Sequence, residues 1–79
     1  MAELEKILAD LVKPIVVYPD KVNITSEEKD GVVTLTLNVE PSDMGKVIGK
    51  HGKIARSLRL IMKAAATQCG KKVNVDIVE

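Results

Sequence analysis

The sequence has almost no aromatic residues. Tyr18 is the one aromatic side chain among 79 residues, and neither Phe nor Trp occurs. The sheets of RRM domains and the grooves of single-strand-binding OB folds hold bases by stacking them on aromatic rings. The composition therefore excludes a stacking platform of either kind, and binding of nucleic acid would have to use backbone amides, aliphatic surface and cations.

Cysteine is equally scarce, because Cys69 is the only one. No disulfide can form within the chain, and no cluster of His and Cys residues could hold zinc. A chain of 79 residues is near the lower limit for a fold without such cross-links. We expect one domain over residues 1–79, stabilised by aliphatic burial, with no metal and no cofactor. Cys69 itself is interpreted as a small apolar filler at a helix end.

Long apolar runs are missing as well. No stretch has the length of a membrane-spanning helix, and residues 1–5 lack the basic region and apolar run of a secretory signal. A lone cysteine is typical of a reducing compartment. These features predict a cytoplasmic protein without a membrane partner.

Acidic residues are absent from one long block of the chain. Residues 44–72 contain eight basic and no acidic residues, whereas residues 1–30 contain four basic and seven acidic ones, an asymmetry hidden by the net charge of +1. A block of one sign favours a polyanionic partner, with a solvated basic face as the alternative. The eight residues are Lys46, Lys50, Lys53, Arg56, Arg59, Lys63, Lys71 and Lys72.

Hydrophobic spacing predicts the first half of the fold. Apolar residues between Leu4 and Val12 recur at i, i+3, i+4, i+7 and i+8, which predicts a helix over residues 2–13 that ends before Pro14. Alternation predicts a strand at residues 22–25 and a second at 32–40, joined by a hairpin turn at 29–31.

Two helices and a strand are predicted after residue 40. A short helix over residues 44–48 is capped by Ser42 or Asp43, and a longer one runs from Lys53 to Gly70, a helix-ending glycine. Its predicted core stripe is Ile54, Leu58, Ile61 and Ala65, with Met62 and Cys69 on the flank. The last strand alternates inward Val73, Val75 and Ile77 with outward Asn74 and Asp76.

This element order, α-β-β-α-α-β, predicts an α+β fold of two layers. The second and last strands are joined through two helices, so a right-handed crossover should make them parallel neighbours. We expect three helices to cover one face of a three-stranded mixed sheet.

The loop Gly49-Lys50-His51-Gly52 lies between two of the predicted helices. A GxxG alone is a weak signal in a chain this short, and the residues around it give it meaning. Glycines let the backbone turn sharply and let a sugar-phosphate chain approach without a Cβ in the way. The following helix presents free amides and the positive end of its dipole to the same loop. Lys46, Lys50 and Lys53 add cations for phosphates.

Residues 47–54, Val-Ile-Gly-Lys-His-Gly-Lys-Ile, resemble the signature of the KH domain. The element order is similar to the type II, prokaryotic form. The Pro19-Asp20 link, residues 43–49, and the close of the long helix at residues 64–70 resemble the small stand-alone bacterial KH proteins that bind RNA. The resemblance spans essentially the whole chain and is most specific over residues 43–70.

This resemblance implies that the GxxG loop clamps about four nucleotides of single-stranded RNA, with single-stranded DNA left open. It implies a role as an RNA chaperone or post-transcriptional regulator, and a homodimer or a heterodimer with a larger KH-containing protein of the Jag type. The turn before the last strand is very short, which predicts low sequence selectivity. The implied RNA-binding residues are Gly45, Lys46, Val47, Ile48, Gly49, Lys50, His51, Gly52, Lys53, Ile54, Arg56, Lys71 and Lys72.

A protein-interaction subunit with weak nucleic-acid binding is the alternative function. Leu60 falls about 240° around the long helix from Ile54, away from the predicted core stripe, and Ala64 lies beside it. These two residues are the candidate dimer contact. Arg59 and Lys63 are placed on the outer helix face, where phosphate contact and plain solvation are both open.

No enzymatic activity and no small-molecule substrate are expected. His51 has no second His, no nearby cysteine and no carboxylate partner in residues 44–72, so we interpret it as an exposed loop residue near phosphate. Neither Gly-x-x-x-x-Gly-Lys-[Ser/Thr] nor Gly-x-Gly-x-x-Gly occurs. We therefore predict no catalytic residue.

Overall fold

A computed structural model describes residues 2–78. The order of its elements is the predicted α-β-β-α-α-β, and the α+β class is confirmed. Short 3₁₀ turns occupy the links before β1 and around α2. The helices and strands are α1 (Ala2–Val12), β1 (Asn23–Lys29), β2 (Val32–Asn38), α2 (Met44–Ile48), α3 (Lys53–Gln68) and β3 (Lys72–Val78).

The three strands form one mixed sheet in the order β1-β2-β3. β1 pairs antiparallel with β2, and β2 pairs parallel with β3, as predicted. The hairpin turn places Asp30 and Gly31 at φ 53° and 79°, the two positive values that a tight two-residue turn requires. Because β2 is central, β3 has one free edge, and this edge faces α3.

β1 extends four residues further than its apolar alternation indicates. Ser26 occupies a core-facing position opposite Leu35, and its hydroxyl donates a hydrogen bond to the Glu5 carboxylate of α1. The second half of the strand is polar, so apolar alternation could not indicate its full length. Pairing with β2, rather than side-chain burial, holds this part of β1 in place.

The core lies between the helices and one face of the sheet. α1 contributes Leu4, Leu8 and Val12, all fully buried. β2 contributes Val33, Leu35 and Leu37, again with no exposed surface. The inward alternation predicted for β2 is confirmed. Fully burying aliphatic side chains of this size stabilises a fold by about 1.5–3 kcal/mol each, and this chain depends on that burial.

The buried stripe of α3 differs from the prediction. Its members are Ala55, Leu58, Met62 and Ala66, whereas Ile54 is 37% and Ile61 44% exposed. The small side chains of Ala55 and Ala66 let α3 lie close to its neighbours, and the flexible Met62 fills the remaining space. α3 is therefore rotated about its axis relative to the orientation that isoleucine positions suggested.

The carboxylate of Asp43 does not cap α2, and the predicted cap is wrong. Asp43 is 1% exposed, and its two carboxylate oxygens accept the backbone N–H groups of Val17 at 3.1 Å and Tyr18 at 3.0 Å. Ser42 is exposed and makes no cap either. A buried carboxylate needs such partners, so the link between α1 and β1 is tied to the start of α2.

The C-terminal end of α3 forms the predicted glycine stop. Gly70 has φ 72°, the Lys71 amide donates to Ala66 O at 2.9 Å, and the Gly70 amide donates to Thr67 O at 3.0 Å. These bonds form a Schellman motif. Cys69, in the same turn, is exposed rather than a buried filler as predicted. Within residues 2–78, no helix combines the length and apolarity needed to cross a membrane.

Candidate functional site

The GxxG loop (residues 49–52) is a tight turn in which three residues have positive φ. Gly49, His51 and Gly52 have φ values of 76°, 57° and 72°. The Gly49 amide donates to Gly45 O at 2.9 Å, which ends α2, and the Gly52 amide donates to Gly49 O at 3.2 Å, which closes the turn. Lys50 and His51, the two central residues, are exposed.

Gly49 has no room for a side chain. An added Cβ would lie 2.6 Å from Cγ1 of Ile54, closer than carbon atoms approach without bonding. At Gly52 the nearest atom would be 3.9 Å away, so only its positive φ requires glycine there. The first glycine of the loop thus allows Ile54 to pack against the turn, and the second allows α3 to begin.

Positive charge collects at the N-terminal end of α3, which already carries the positive end of the helix dipole. Gly52 is the N-cap residue, no side chain caps the helix, and its first turn contains no acid. α1 shows the usual arrangement, with Glu3 and Glu5 in its first turn. The Lys53 amide already donates to Lys50 O, so it is the helix dipole and the surrounding cations that favour an anion at this helix start.

The cations around the loop have no acidic partners in the described part of the chain. Lys46, Lys50, Lys53 and Arg56 are all exposed. Among residues 2–78 the one ion pair is formed at a different place, between Lys71 and Glu28. The loop cations are therefore available to a ligand.

Two aliphatic side chains flank the loop at the surface. Ile48 is 39% and Ile54 37% exposed. Val47 is fully buried in the core, so its side chain does not reach the surface where the resemblance placed a contact. Gly45 leaves an open patch on α2, since nothing would lie within 4 Å of an added Cβ.

Lys71 and Lys72 lie far from the GxxG loop. They follow the C-terminal end of α3, and a helix of 16 residues is about 24 Å long. Lys71 pairs with Glu28, and the Lys72 amide donates to Gly31 O at 3.2 Å. The structure therefore does not bring these two predicted site residues together with the other eleven.

A groove lies between α3 and β3, on the side of the last strand where the resemblance places the far wall of the RNA-binding groove. Its volume is about 870 Å³, and Lys71 and Lys72 line its far end. Arg59 and Lys63 line its α3 side, and Arg59 Nε donates to Val75 O at 3.2 Å. The sequence shows the cations along α3. Which of its neighbours they face depends on how the helix is rotated about its axis.

Leu60 lies on the side of α3 opposite the core, as its helical angle indicated. It is 69% exposed, the highest value among the exposed large apolar side chains. Ala64 is exposed beside it. Ile61, which was predicted to be buried, adds a third apolar side chain at 44% exposure. The apolar surface of α3 is thus wider than the sequence suggested.

Metal-binding chemistry finds no support in the described side chains. Over residues 2–78, no group of three or more His, Cys, Asp and Glu residues could hold a metal ion. His51 in the loop is exposed.

Comparison with known proteins supports a family assignment. The family model described as "KhpA/KhpB, KH domain" matches residues 5–77. The chain is similar to the RNA-binding protein KhpA of Listeria monocytogenes, with 41% identity over 96% of this chain and the whole of that protein. It is also similar to the proteins of that name from Bacillus subtilis, at 41% over 96% of this chain and 94% of the relative, and from Clostridium perfringens, at 44% over 99% and 100%.

Proposed function

The chain belongs to the KhpA/KhpB family of KH domains, and on that basis we propose that it binds single-stranded RNA through the GxxG loop without acting as an enzyme. Its relatives carry the name RNA-binding protein. The same chemistry would accept single-stranded DNA.

The arrangement of charge at the start of α3 is the observation that carries this proposal. Lys53 and Arg56 lie in the first turns of the helix, where the dipole disfavours cations. Lys50 and His51 in the loop increase the same positive potential. A bound phosphate would relieve this repulsion and face the positive end of the helix dipole.

Each part of the loop has its own role in this mechanism. The backbone between Gly49 and Gly52 approaches the sugar-phosphate chain, and Lys50 neutralises phosphates. The exposed parts of Ile48 and Ile54 provide aliphatic surface on which unpaired bases lie flat. Val47 acts only by packing beneath them. This is a clamp of about four nucleotides, the usual reach of a KH loop.

Low sequence selectivity follows from the turn between α3 and β3. Only residues 69–71 separate the two elements, so no long loop rises beside the groove to contact base edges. We therefore assign most of the affinity to the phosphate backbone, whose recognition carries no sequence information. Such binding suits an RNA chaperone or a post-transcriptional regulator acting in the cytoplasm.

The test of the loop is the double variant Lys50→Asp/His51→Asp. Both side chains are exposed, and aspartate tolerates the left-handed conformation at position 51, so the fold should survive. We expect affinity for a single-stranded oligonucleotide to fall by about a hundredfold, because two anions would face phosphate. Fluorescence anisotropy measures the binding, and circular dichroism measures the fold.

The matched control is Lys6→Asp/Lys13→Asp. Both positions are exposed; Lys6 is in α1 and Lys13 directly follows it. The affinity of this control should change far less than that of the loop variant. Equal losses of affinity in both variants would mean that binding depends on net charge and not on the loop. Unchanged affinity in the loop variant would mean that the loop does not bind the oligonucleotide.

A protein-interaction subunit is the second candidate function. Three exposed apolar side chains lie together on α3: Leu60, Ile61 and Ala64. An apolar patch surrounded by charged residues favours a protein partner. We propose that this face forms a homodimer, or a heterodimer with a larger KH-containing protein of the Jag type. The family description pairs KhpA with KhpB, which supports a shared mode of assembly.

A further inference from the structure

Tyr18 is the one aromatic residue of the chain, and its side chain is 47% exposed. The preceding Val17, at 60%, is exposed beside it. Both belong to the link between α1 and β1, outside the GxxG loop and outside the groove between α3 and β3. A single exposed ring needs no explanation by itself, but this ring is attached to a backbone that is held in a fixed position.

The backbone is fixed on both sides of Tyr18. The Tyr18 amide donates to the buried carboxylate of Asp43 at 3.0 Å, and the Tyr18 carbonyl accepts the Lys21 amide at 3.0 Å. Pro19 begins a 3₁₀ turn directly after it, and its ring restricts the backbone there. A side chain on a backbone held in this way loses little conformational freedom when a ligand contacts it, which increases the affinity that it can supply.

The link that carries Tyr18 lies at the same end of the fold as the GxxG loop. β1 begins where β2 ends, since Asn23 pairs with Asn38. β3 runs parallel to β2 and ends there as well, with Val78 opposite Asn38. Only residues 69–71 join α3 to β3, so α3 runs antiparallel to β3. The start of α3, next to the loop, therefore returns to the end of the sheet at which the link enters β1.

α2 connects the two places. Asp43, which accepts the Tyr18 amide, directly precedes α2, and Gly49 of the loop directly follows it. At about 1.5 Å per residue, Asp43 and Gly49 lie within about 10 Å of each other along this helix. Between them Lys46 is exposed, and an added Cβ at Gly45 would meet nothing within 4 Å. A strand that leaves the loop along α2 therefore meets a cation and bare backbone before it reaches Tyr18.

The charge close to Tyr18 is mixed. Lys21, whose amide closes the turn, is exposed, but Asp20 lies in the same turn and would oppose an anion. The surroundings of the ring therefore do not favour phosphate in the way that the loop does. What Tyr18 offers to a nucleic acid is the flat face of its ring, and the group that binds such a face is a base.

We propose that Tyr18 is a base-stacking subsite, which holds one unpaired base of the same single strand next to the nucleotides clamped by the GxxG loop. The inference rests on the proposed function of the loop. A ring accepts every base on its π-face, so the subsite adds affinity with little sequence preference. It is distinct from the aliphatic surface of Ile48 and Ile54, which flanks the loop itself.

A protein partner is the alternative occupant of an exposed ring. The position of Tyr18 favours the nucleic acid, because the ring lies at the end of the fold that carries the loop and is connected to it by α2. A protein that covered Tyr18 without a strand would leave the ring unaffected by oligonucleotides, and the experiment separates the two occupants on that basis.

The experiment uses the fluorescence of Tyr18 itself. The chain contains one tyrosine and no tryptophan, so its intrinsic emission comes from Tyr18 alone, and stacking on a base quenches tyrosine emission. The wild-type chain is titrated with tetrauridylate and octauridylate, and the anisotropy of a dye on the RNA measures binding independently. At saturation octauridylate should quench the emission strongly, whereas tetrauridylate, which fills only the clamp, should quench it little. Bound octauridylate with unchanged emission would overturn the subsite, and so would equal quenching by both, since Tyr18 would then belong to the clamp.

Variants at position 18 measure the contribution of the ring. Tyr18→Ala should bind octauridylate about tenfold more weakly than wild type, the loss expected for one stacked base, and should bind tetrauridylate like wild type. Tyr18→Phe keeps the ring and should bind both like wild type. Val17→Ala, which shortens the exposed neighbour, is the control and should also match wild type. A loss in Tyr18→Phe or in Val17→Ala as large as that in Tyr18→Ala would overturn stacking as the cause.

The loop variant distinguishes a failure of this inference from a failure of the proposed function. If Lys50→Asp/His51→Asp loses octauridylate while Tyr18→Ala binds it like wild type, the loop holds the strand and the stacking subsite is wrong. Failure of the wild-type chain to bind either oligouridylate would instead refute the proposed function. Circular dichroism checks the fold of each variant, and the emission of the wild-type chain tests the subsite without any substitution.

Discussion

The side chain of Ile54 occupies the space that a side chain at Gly49 would need. The loop that we propose as the clamp is therefore packed against the first turn of α3, and its shape is held by contact as well as by backbone conformation. This contact explains why one glycine of the pair should be far less replaceable than the other.

Gly49→Ala should destabilise the fold more than Gly52→Ala. Gly52 lies in the left-handed region, which costs an alanine about 1–2 kcal/mol, whereas Gly49 (φ 76°, ψ 173°) lies in a region open essentially to glycine alone, at a cost of about 1–3 kcal/mol. At Gly49 the contact with Ile54 adds to this cost, so we expect a total of about 3 kcal/mol or more. Urea denaturation measures the difference.

Gly45→Ala is the matched control for the two loop glycines. An added Cβ meets nothing within 4 Å there, and alanine favours a helix over glycine by about 0.5–1 kcal/mol. This variant should be as stable as wild type or more stable. Equal stabilities for Gly49→Ala and Gly52→Ala would show that Ile54 can move away without cost.

Asp43→Ala should lower the free energy of unfolding by about 2–3 kcal/mol, since it removes a charged acceptor from two backbone amides. Ser42→Ala, the control next to it, should change the value by no more than about 0.5 kcal/mol, because Ser42 is exposed. Hydrogen exchange locates the effect. Faster exchange at Val17 and Tyr18 is expected, and unchanged exchange there would contradict the role assigned to the carboxylate.

Met62→Ala and Ile61→Ala test the orientation of α3. Met62 is fully buried, so its truncation should cost about 2–5 kcal/mol. Ile61 is 44% exposed, and its truncation should cost about 1 kcal/mol or less. Thermal or urea unfolding provides both values. A larger loss of stability for Ile61→Ala than for Met62→Ala would mean that Ile61, not Met62, faces the core, and would disprove this orientation of α3.

Leu60→Asp tests the apolar face of α3. If the chain dimerises through this face, a buried charge should dissociate the dimer, while circular dichroism stays unchanged because Leu60 is 69% exposed. Sedimentation equilibrium measures the mass. Val17→Asp is the control, since Val17 is 60% exposed on the link before β1. A wild-type chain that sediments as a monomer at all accessible concentrations would exclude the homodimer.

Oligonucleotide binding by the Leu60→Asp monomer separates the two candidate functions. Retained binding together with loss of activity in the cell would make assembly the main task of the protein. Loss of both dimer and binding would mean that two loops must act together on one strand.

The order of the elements, the loop and its charge could be predicted from the sequence because each depends on neighbours along the chain. Apolar spacing within α1 and β2, the turn at Asp30-Gly31 and the stop at Gly70 all act over a few residues. The same is true of the GxxG loop, whose glycines and lysines are adjacent. Local rules were sufficient for these features.

The tertiary structure decided which way each of these pieces faces. Small Ala55 and Ala66 rotate α3, so that Arg59 meets the edge of β3 and Ile61 stays outside. The Asp43 carboxylate accepts hydrogen bonds from two backbone amides 25 and 26 residues earlier and does not cap its own helix. Lys72 lies a helix length away from the loop. Packing contacts between distant segments determine these positions, and no periodicity within a single segment contains that information.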